Sequence, residues 1–122
     1  MSHHSGLSVP ALTGVHAAIV SPMRDDGTID LDAFAGHAGA VAGASGIRGF
    51  LVNGHAGEGH LLTADEKSGL IATARQVVRP DHHISAGISA ESTDAACREA
   101  EAADDDPAQR LARLGPGADR ED

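Results

Sequence analysis

The residue types best suited to chemistry are concentrated in one short segment, "GHAGEGH", at positions 54–60. His55 can donate or accept a proton near neutral pH, which makes it a candidate proton relay. Glycine lets a backbone approach a ligand closely, so the N–H groups of Ala56 and Gly57 could meet a carboxylate. The alternative is a polar turn that only connects a strand to a helix, with Glu58 anchoring it through hydrogen bonds.

The same segment does not indicate other kinds of site. It matches neither the G-x-G-x-x-G dinucleotide pattern nor a phosphate loop with its lysine, which argues against nucleotide binding. His55 and His60 lack the i, i+4 spacing of paired helical zinc ligands. His3 and His4 are neighbours near a terminus, where we expect them to be solvated. The sequence therefore predicts neither a metal nor a cofactor.

Composition and charge exclude several classes of partner. The chain has 122 residues and a net charge of −9. Neutralising nucleic-acid phosphates requires clustered Lys and Arg, and an anionic membrane surface would repel the chain as well. No apolar stretch approaches the ~20 residues of a membrane helix. The one cysteine, Cys97, excludes an intramolecular disulfide, and "MSHHSGLSVP" is not a signal peptide. We therefore predict a cytoplasmic protein without a nucleic-acid or membrane partner.

The chemical segment lies within an alternation of strand and helix patterns. Asp30 can cap the first helix, and Thr63 with Glu66 forms a capping box at the second. The predicted strands are 14–22, 47–53 and 83–89, and the later helices are 62–78 and 92–103, the last capped by Ser92 or Thr93. This order predicts an α/β fold with parallel strands covered by helices. The near-continuous apolar strands predict burial of both sheet faces.

The first two helices carry apolar faces at helical spacing, which we expect to pack on the sheet. In the first helix this face is Leu31, Phe34, Ala38, Val41 and Ala42; in the second it is Leu70, Ile71, Ala74, Val77 and Val78.

Four motifs in register resemble one family over about residues 12–103. They are "GVHAAIVSPM", "DGTIDLDAF", "GFLVNGHAGEGHLLTADEK" and "SAGISAESTDAA", and together they are similar to the dihydrodipicolinate synthase / N-acetylneuraminate lyase family of Schiff-base-forming class I lyases. The resemblance implies the first three βα units of a (β/α)8 TIM barrel, incomplete. Residues 1–11 are then a flexible leader. For the charged tail 104–122 our hypothesis is disorder or out-of-frame translation.

The resemblance also implies a mechanism whose main groups find no match in this chain. In the family a lysine on the sixth strand condenses with pyruvate or another 2-oxo acid, and a tyrosine on the fifth strand acts as acid and base. The chain has no tyrosine, and its one lysine is Lys67. An amine nucleophile needs burial or cationic neighbours. Lys67 instead lies beside Asp65 and Glu66, so we expect it on a charged, solvated helix face.

The resemblance assigns the loop a role in binding substrate. The family pattern is Gly, two hydroxyl residues, Gly and Glu, and the second hydroxyl with nearby N–H groups holds the substrate carboxylate. Both hydroxyls are replaced here, so a substrate other than that of the dihydrodipicolinate enzyme is expected. Ser21 matches a Thr or Ser at the end of the family's first strand, and is expected either to shape the pocket or to cap the turn before Pro22. The matching loop positions are Gly54, His55, Ala56, Gly57 and Glu58.

The expected function is therefore that of the amino-terminal part of a Schiff-base lyase: an aldolase, dehydratase or synthase acting on a small 2-oxo acid. We expect this chain alone to be inactive, because the regions of the lysine and tyrosine are absent. The alternative is a non-catalytic remnant or an interaction fragment. Three βα units leave sheet edges exposed, which favours self-association.

Overall fold

The computed structural model describes residues 12–104. The predicted leader, 1–11, and residues 105–122 of the predicted tail lie outside the described residues. The strands and helices alternate as predicted, and a short 3₁₀ helix at Gly59–Leu61 is the one addition before the second long helix. In chain order the elements are β1 (Val15–Ala18), α1 (Leu31–Ala42), β2 (Ile47–Val52), α2 (Ala64–Val77), β3 (His83–Ala86) and α3 (Thr93–Asp104).

The three strands form one parallel sheet in the order β1-β2-β3. Phe50 pairs with Ala17 on one side and with Ile84 on the other, and this face contributes to the hydrophobic core together with the helices. The next residue along each strand points to the opposite face, where Ala18 is exposed and Leu51 is half-buried. The predicted burial of both faces is therefore wrong for the described residues, because their core lies on one side of the sheet.

The strands are shorter than the apolar runs that predict them. Beyond β1, one further bond joins the Ile19 N–H to the Leu51 carbonyl at 3.2 Å. The chain then bends toward Pro22, which has no N–H to donate. At the end of β2, Asn53 adopts a φ of 62°, which is outside the extended region and stops the ladder.

Side-chain caps begin each of the three long helices. The Asp30 carboxylate accepts from the Ala33 N–H at 3.0 Å, and the Thr63–Glu66 capping box has both of its bonds. In α3 the Ser92 hydroxyl accepts from Ala95 at 3.1 Å, so Ser92 rather than Thr93 is the cap. Each cap satisfies an N–H that the helix leaves free and contributes about 1 kcal/mol.

The helix faces pack largely as predicted, with Leu31 as the exception. Phe34 and Leu70 are fully buried, while Val41 and Val77 pack at the edge of the core. Leu31 is 39% exposed, so its predicted place in the core is wrong. It is the first residue of α1 and lies beside Gly69 of α2, where a β-carbon would be 3.8 Å from Leu31 Cδ1.

Candidate functional site

The candidate loop, residues 54–58, leaves the carboxyl end of β2 as a closed turn. The Glu58 N–H donates to the His55 carbonyl at 3.0 Å, and the Gly59 N–H donates to the Gly54 carbonyl at 3.1 Å. Asn53 and Glu58 bracket the turn, and both have positive φ, 62° and 57°. The loop is therefore held by its own backbone at the sheet edge where parallel α/β folds bind ligands.

Three consecutive N–H groups of this loop have no hydrogen-bond partner among the described residues, and two of them belong to exposed residues. Within residues 12–104, those of His55, Ala56 and Gly57 donate to no other group. His55 and Ala56 are exposed, whereas Gly57 is buried beneath them. Successive backbone N–H groups in a turn form a concavity that favours an anion, so the arrangement suits a carboxylate.

Ser21 holds the loop against β1. Its side chain is 6% exposed, and its hydroxyl donates to the Gly57 carbonyl at 2.7 Å. A β-carbon on Gly57 would lie 3.1 Å from both Ser21 Oγ and the Ile19 carbonyl, so glycine suits this close approach. The hydroxyl of Ser21 is therefore engaged by the loop, and its role in shaping a pocket stays a prediction.

His55 has a neighbour that the sequence pattern did not identify. The rings of His55 and His60 are 5.1 Å apart between centroids and 17° from parallel, because the 3₁₀ helix turns the chain back over the loop. Both residues are exposed, and neither ring forms a hydrogen bond to any described residue. Residues five apart do not meet on an α-helix, which is why the spacing gave no signal. A proton relay at His55 stays a prediction.

Glu58 bonds to the loop through its backbone and not through its carboxylate. Its N–H bonds to His55, and its carbonyl accepts from the Leu61 N–H at 2.9 Å. The side chain is exposed and forms no hydrogen bond with the described residues. The hydrogen bonds that Glu58 forms with neighbouring residues are therefore those of its backbone, and its role as the anchor of the loop stays a prediction.

Lys67 is not on a solvated face. Its side chain is only 14% exposed, and its Nζ lies 2.7 Å from Oε2 of Glu99, which is 19% exposed. The pair joins α2 to α3 beside a cleft of about 260 Å³ between these helices. The expectation of a solvated lysine is wrong because α3 covers this side of α2. The side-chain amine of Lys67 forms an ion pair with the Glu99 carboxylate, which leaves it unsuited to attack a carbonyl.

Asn53, directly before the loop, was not identified from the sequence. It is 1% exposed, its Nδ2 donates to the Lys67 carbonyl at 3.2 Å, and its Oδ1 is buried without a partner among the described residues. A β-carbon on Gly59 or Gly87 would lie only 2.1 or 2.3 Å from the Asn53 carbonyl. An asparagine between a strand and a glycine was the available signal, because Asn tolerates positive φ.

Two histidines whose pKa values are lowered lie at the other end of the sheet. His82 is 3% exposed, and its ring packs edge-on against Phe50 at 5.3 Å. Burial, followed by the nearby Arg79 cation, lowers the pKa of His82. Burial, followed by His16, lowers the pKa of His83. Both precede or begin β3, so they belong to the amino end of the strands and not to the candidate loop.

Metal ligands and membrane spans were sought in the described part of the chain. No group of three or more His, Cys, Asp or Glu residues between 12 and 104 could hold a metal ion. No helix in the same range is long and apolar enough to cross a bilayer. The predictions of no metal and no cofactor remain predictions.

Comparisons with known proteins agree on one family. The sequence model of the Dihydrodipicolinate synthetase family matches residues 11–116, which extends beyond the end of the resemblance at Ala103. A protein of Coccidioides immitis (strain RS) named "Putative 4-hydroxy-2-oxoglutarate aldolase, mitochondrial" is 49% identical over 49 residues, covering 40% of this chain and 16% of that protein.

Solved structures share the fold. Dihydrodipicolinate synthase from Rhodopseudomonas palustris is 26% identical with a TM-score of 0.66, over 82% of this chain and 33% of that one. A catalytic lysine mutant of the sialic acid aldolase of Ruminococcus gnavus is 18% identical with a TM-score of 0.70, over 80% and 32%. The chain thus spans about a third of the length of these structures, and their likeness supports a partial (β/α)8 barrel.

Proposed function

The chain belongs to the dihydrodipicolinate synthetase family, and from that premise we propose that it forms the amino-terminal part of a class I lyase that acts on pyruvate or another 2-oxo acid. In this proposal the loop 54–58 binds the carboxylate of the substrate. The family, the carboxyl-end position of the loop and the aldolase named among the relatives support it.

One observation carries the proposal: the N–H groups of His55, Ala56 and Gly57 donate to no group within residues 12–104. Hydrogen bonds from N–H groups to a carboxylate are shorter and stronger than neutral ones. The loop needs no rearrangement to present the first two of these groups, since its turn is already closed by the bonds from Glu58 and Gly59. This is the part of the family's site that does not depend on the replaced hydroxyls.

The replaced hydroxyls argue for a substrate different from that of the dihydrodipicolinate enzyme. Ala56 cannot contact a carboxylate through its side chain, so binding there depends on the backbone. His55 presents an imidazole where the family pattern has a hydroxyl. It can donate a hydrogen bond to a substrate oxygen or transfer a proton.

Titration of the ¹⁵N-labelled chain with pyruvate tests the proposal. We expect the largest amide shifts at His55, Ala56 and Gly57, with weak affinity of about millimolar, since only one wall of a pocket is present. Acetone is the matched control, because it has the same ketone but no carboxylate, and it should leave these amides unshifted. Equal shifts with acetone, or pyruvate shifts confined to other residues, would contradict carboxylate binding by the loop.

A second candidate function, an interaction fragment that self-associates, is favoured by the exposed apolar residues of and beyond β1. Val15 is 61% exposed, Val20 is 47% exposed and Met23 is 40% exposed. β1 and β3 are both edges of the described sheet, and an uncharged edge strand is a template for pairing.

Sedimentation velocity over a range of concentrations tests self-association. We expect the species to grow with concentration, and Val15→Lys to shift the distribution toward the monomer, because an edge lysine opposes strand pairing. Arg24→Lys is the matched control on an exposed turn. A monomer at every concentration would refute this function.

Location in the cytoplasm also stays a prediction. It rests on the single cysteine and on the amino-terminal sequence, while the curated relative carries a mitochondrial name.

A further inference from the structure

Asn53 occupies the point where three segments of the site converge. It ends β2, precedes the loop 54–58, and its carbonyl faces the α-carbons of both Gly59 and Gly87. A β-carbon at those two positions would lie 2.1 and 2.3 Å from the Asn53 oxygen. Its position therefore determines how closely the far end of the loop and the segment after β3 approach the end of β2.

Two features of Asn53 are uncommon. Its φ is 62°, a left-handed value that Asn tolerates better than most residues other than glycine, and its Oδ1 is buried without a partner in residues 12–104. A buried unpaired acceptor in a native fold calls for an explanation. The compensating contact is the bond from Nδ2 to the Lys67 carbonyl at 3.2 Å.

Lys67 extends this contact to the third helix. Its backbone carbonyl receives the Asn53 amide, while its ammonium pairs with Glu99 at 2.7 Å. The same Glu99 oxygen accepts the Ser89 N–H at 3.3 Å. Among the described residues this is the only ion pair that joins two helices. The network therefore connects the loop's first anchor to α2, to α3 and to the segment after β3.

We propose that Asn53 is a positioning residue for the loop 54–58, and that Lys67 serves this site as the fixed cation of the network. Asn53 holds the start of the loop through Nδ2, and Lys67 with Glu99 holds the turn of α2 to which Asn53 is bonded. The proposal rests on the proposed function, in that the positioned N–H groups are those offered to a carboxylate. It gives the lone lysine of the chain a role that needs no nucleophilic amine.

Asn53→Gly separates positioning from ordinary structural support. Glycine removes the unpaired acceptor and accepts the left-handed φ freely, so a merely structural residue could be replaced without loss of loop order or ligand affinity. Positioning predicts that the amides of residues 54–59 lose order in ¹⁵N relaxation. Acetate affinity should weaken about three- to tenfold, the range expected for one lost hydrogen bond. Unchanged loop order in a folded Asn53→Gly chain would overturn the inference.

A second pair of variants keeps the test decisive if Asn53→Gly fails to fold. Lys67→Met removes the pair with Glu99, and Lys67→Arg retains a cation for it. We expect the first to loosen the loop and the second to restore most of its order, whereas equal behaviour of the two would count against the network. If the wild-type chain does not bind acetate, the proposed function is refuted. The comparison of loop order among the variants is made without ligand, so it still tests the roles of Asn53 and Lys67.

Discussion

His55 and Ala56 stand where the family pattern has two hydroxyl side chains, and Gly57 lies beneath them as the acceptor of the Ser21 hydroxyl. The surface of the loop is therefore made by backbone N–H groups and one imidazole. The side chain of Asn53, which the sequence pattern did not identify, joins the start of the loop to the Lys67 carbonyl of α2. In the proposal, single residues divide into those that meet a carboxylate and those that hold the loop in place.

His82 is a single residue that should make the stability of the fold depend on pH, because its environment in the folded chain opposes protonation of the ring. The ring is buried against Phe50. Arg79 and Arg75 oppose a positive charge on it and Asp81 favours one, and the pKa is lowered. A lowered folded pKa means that the neutral imidazole stabilises the fold fully above about pH 6.5, the ordinary value for histidine, and that this stability is lost as the pH falls below it.

We therefore expect the thermal midpoint of the chain to fall between about pH 7.5 and 5.5, and the fall to be smaller in His82→Gln, which cannot titrate. Some pH dependence should remain, since burial and His16 also lower the pKa of His83. The exposed His60→Gln is the control and should behave as the wild type. An equal fall in His82→Gln would show that this ring does not sense pH.

At the level of elements, local chemistry was sufficient to predict most of the fold. Caps at Asp30 and Thr63 depend on neighbours three residues away, so the sequence reveals them, and both are confirmed. The burial of Lys67 depends on a contact between elements. Glu99 lies 32 residues after Lys67, and no local pattern links the two. The exposed Leu31 likewise depends on where α1 lies relative to α2.

The sequence predicted where the candidate loop lies, but it did not predict the long-range contacts that hold the loop in place. A glycine-rich segment after an apolar run indicated a loop at a strand end, and the structure has it there. The bond between Ser21 and Gly57 spans 36 residues, and the close approach of Gly87 to Asn53 arises only when β2 and β3 pair. Parallel pairing brings distant segments together, so these contacts require the fold.

At the scale of the whole molecule, the described residues form a sheet that is covered on one side only. The sheet has its core on one face, while the other face carries exposed Ala18 and half-buried Leu51 and Ser85. A closed barrel covers that face by pairing its last strand with its first. The chain spans about a third of the solved relatives. Lys67, the one lysine in the sequence, is paired with Glu99 on the side of α2 that α3 covers.

The most direct test of this account is borohydride reduction of the full 122-residue chain in the presence of pyruvate, followed by peptide mass spectrometry. An imine between an amine and pyruvate loses water as it forms, and borohydride reduces it to a stable secondary amine. Lys67→Arg is the control that reveals any reaction at the terminal amine. We predict that Lys67 carries no adduct in the wild type, because Glu99 holds its amine. An adduct on Lys67 that requires pyruvate would contradict the account, since it would make this lysine a Schiff-base nucleophile.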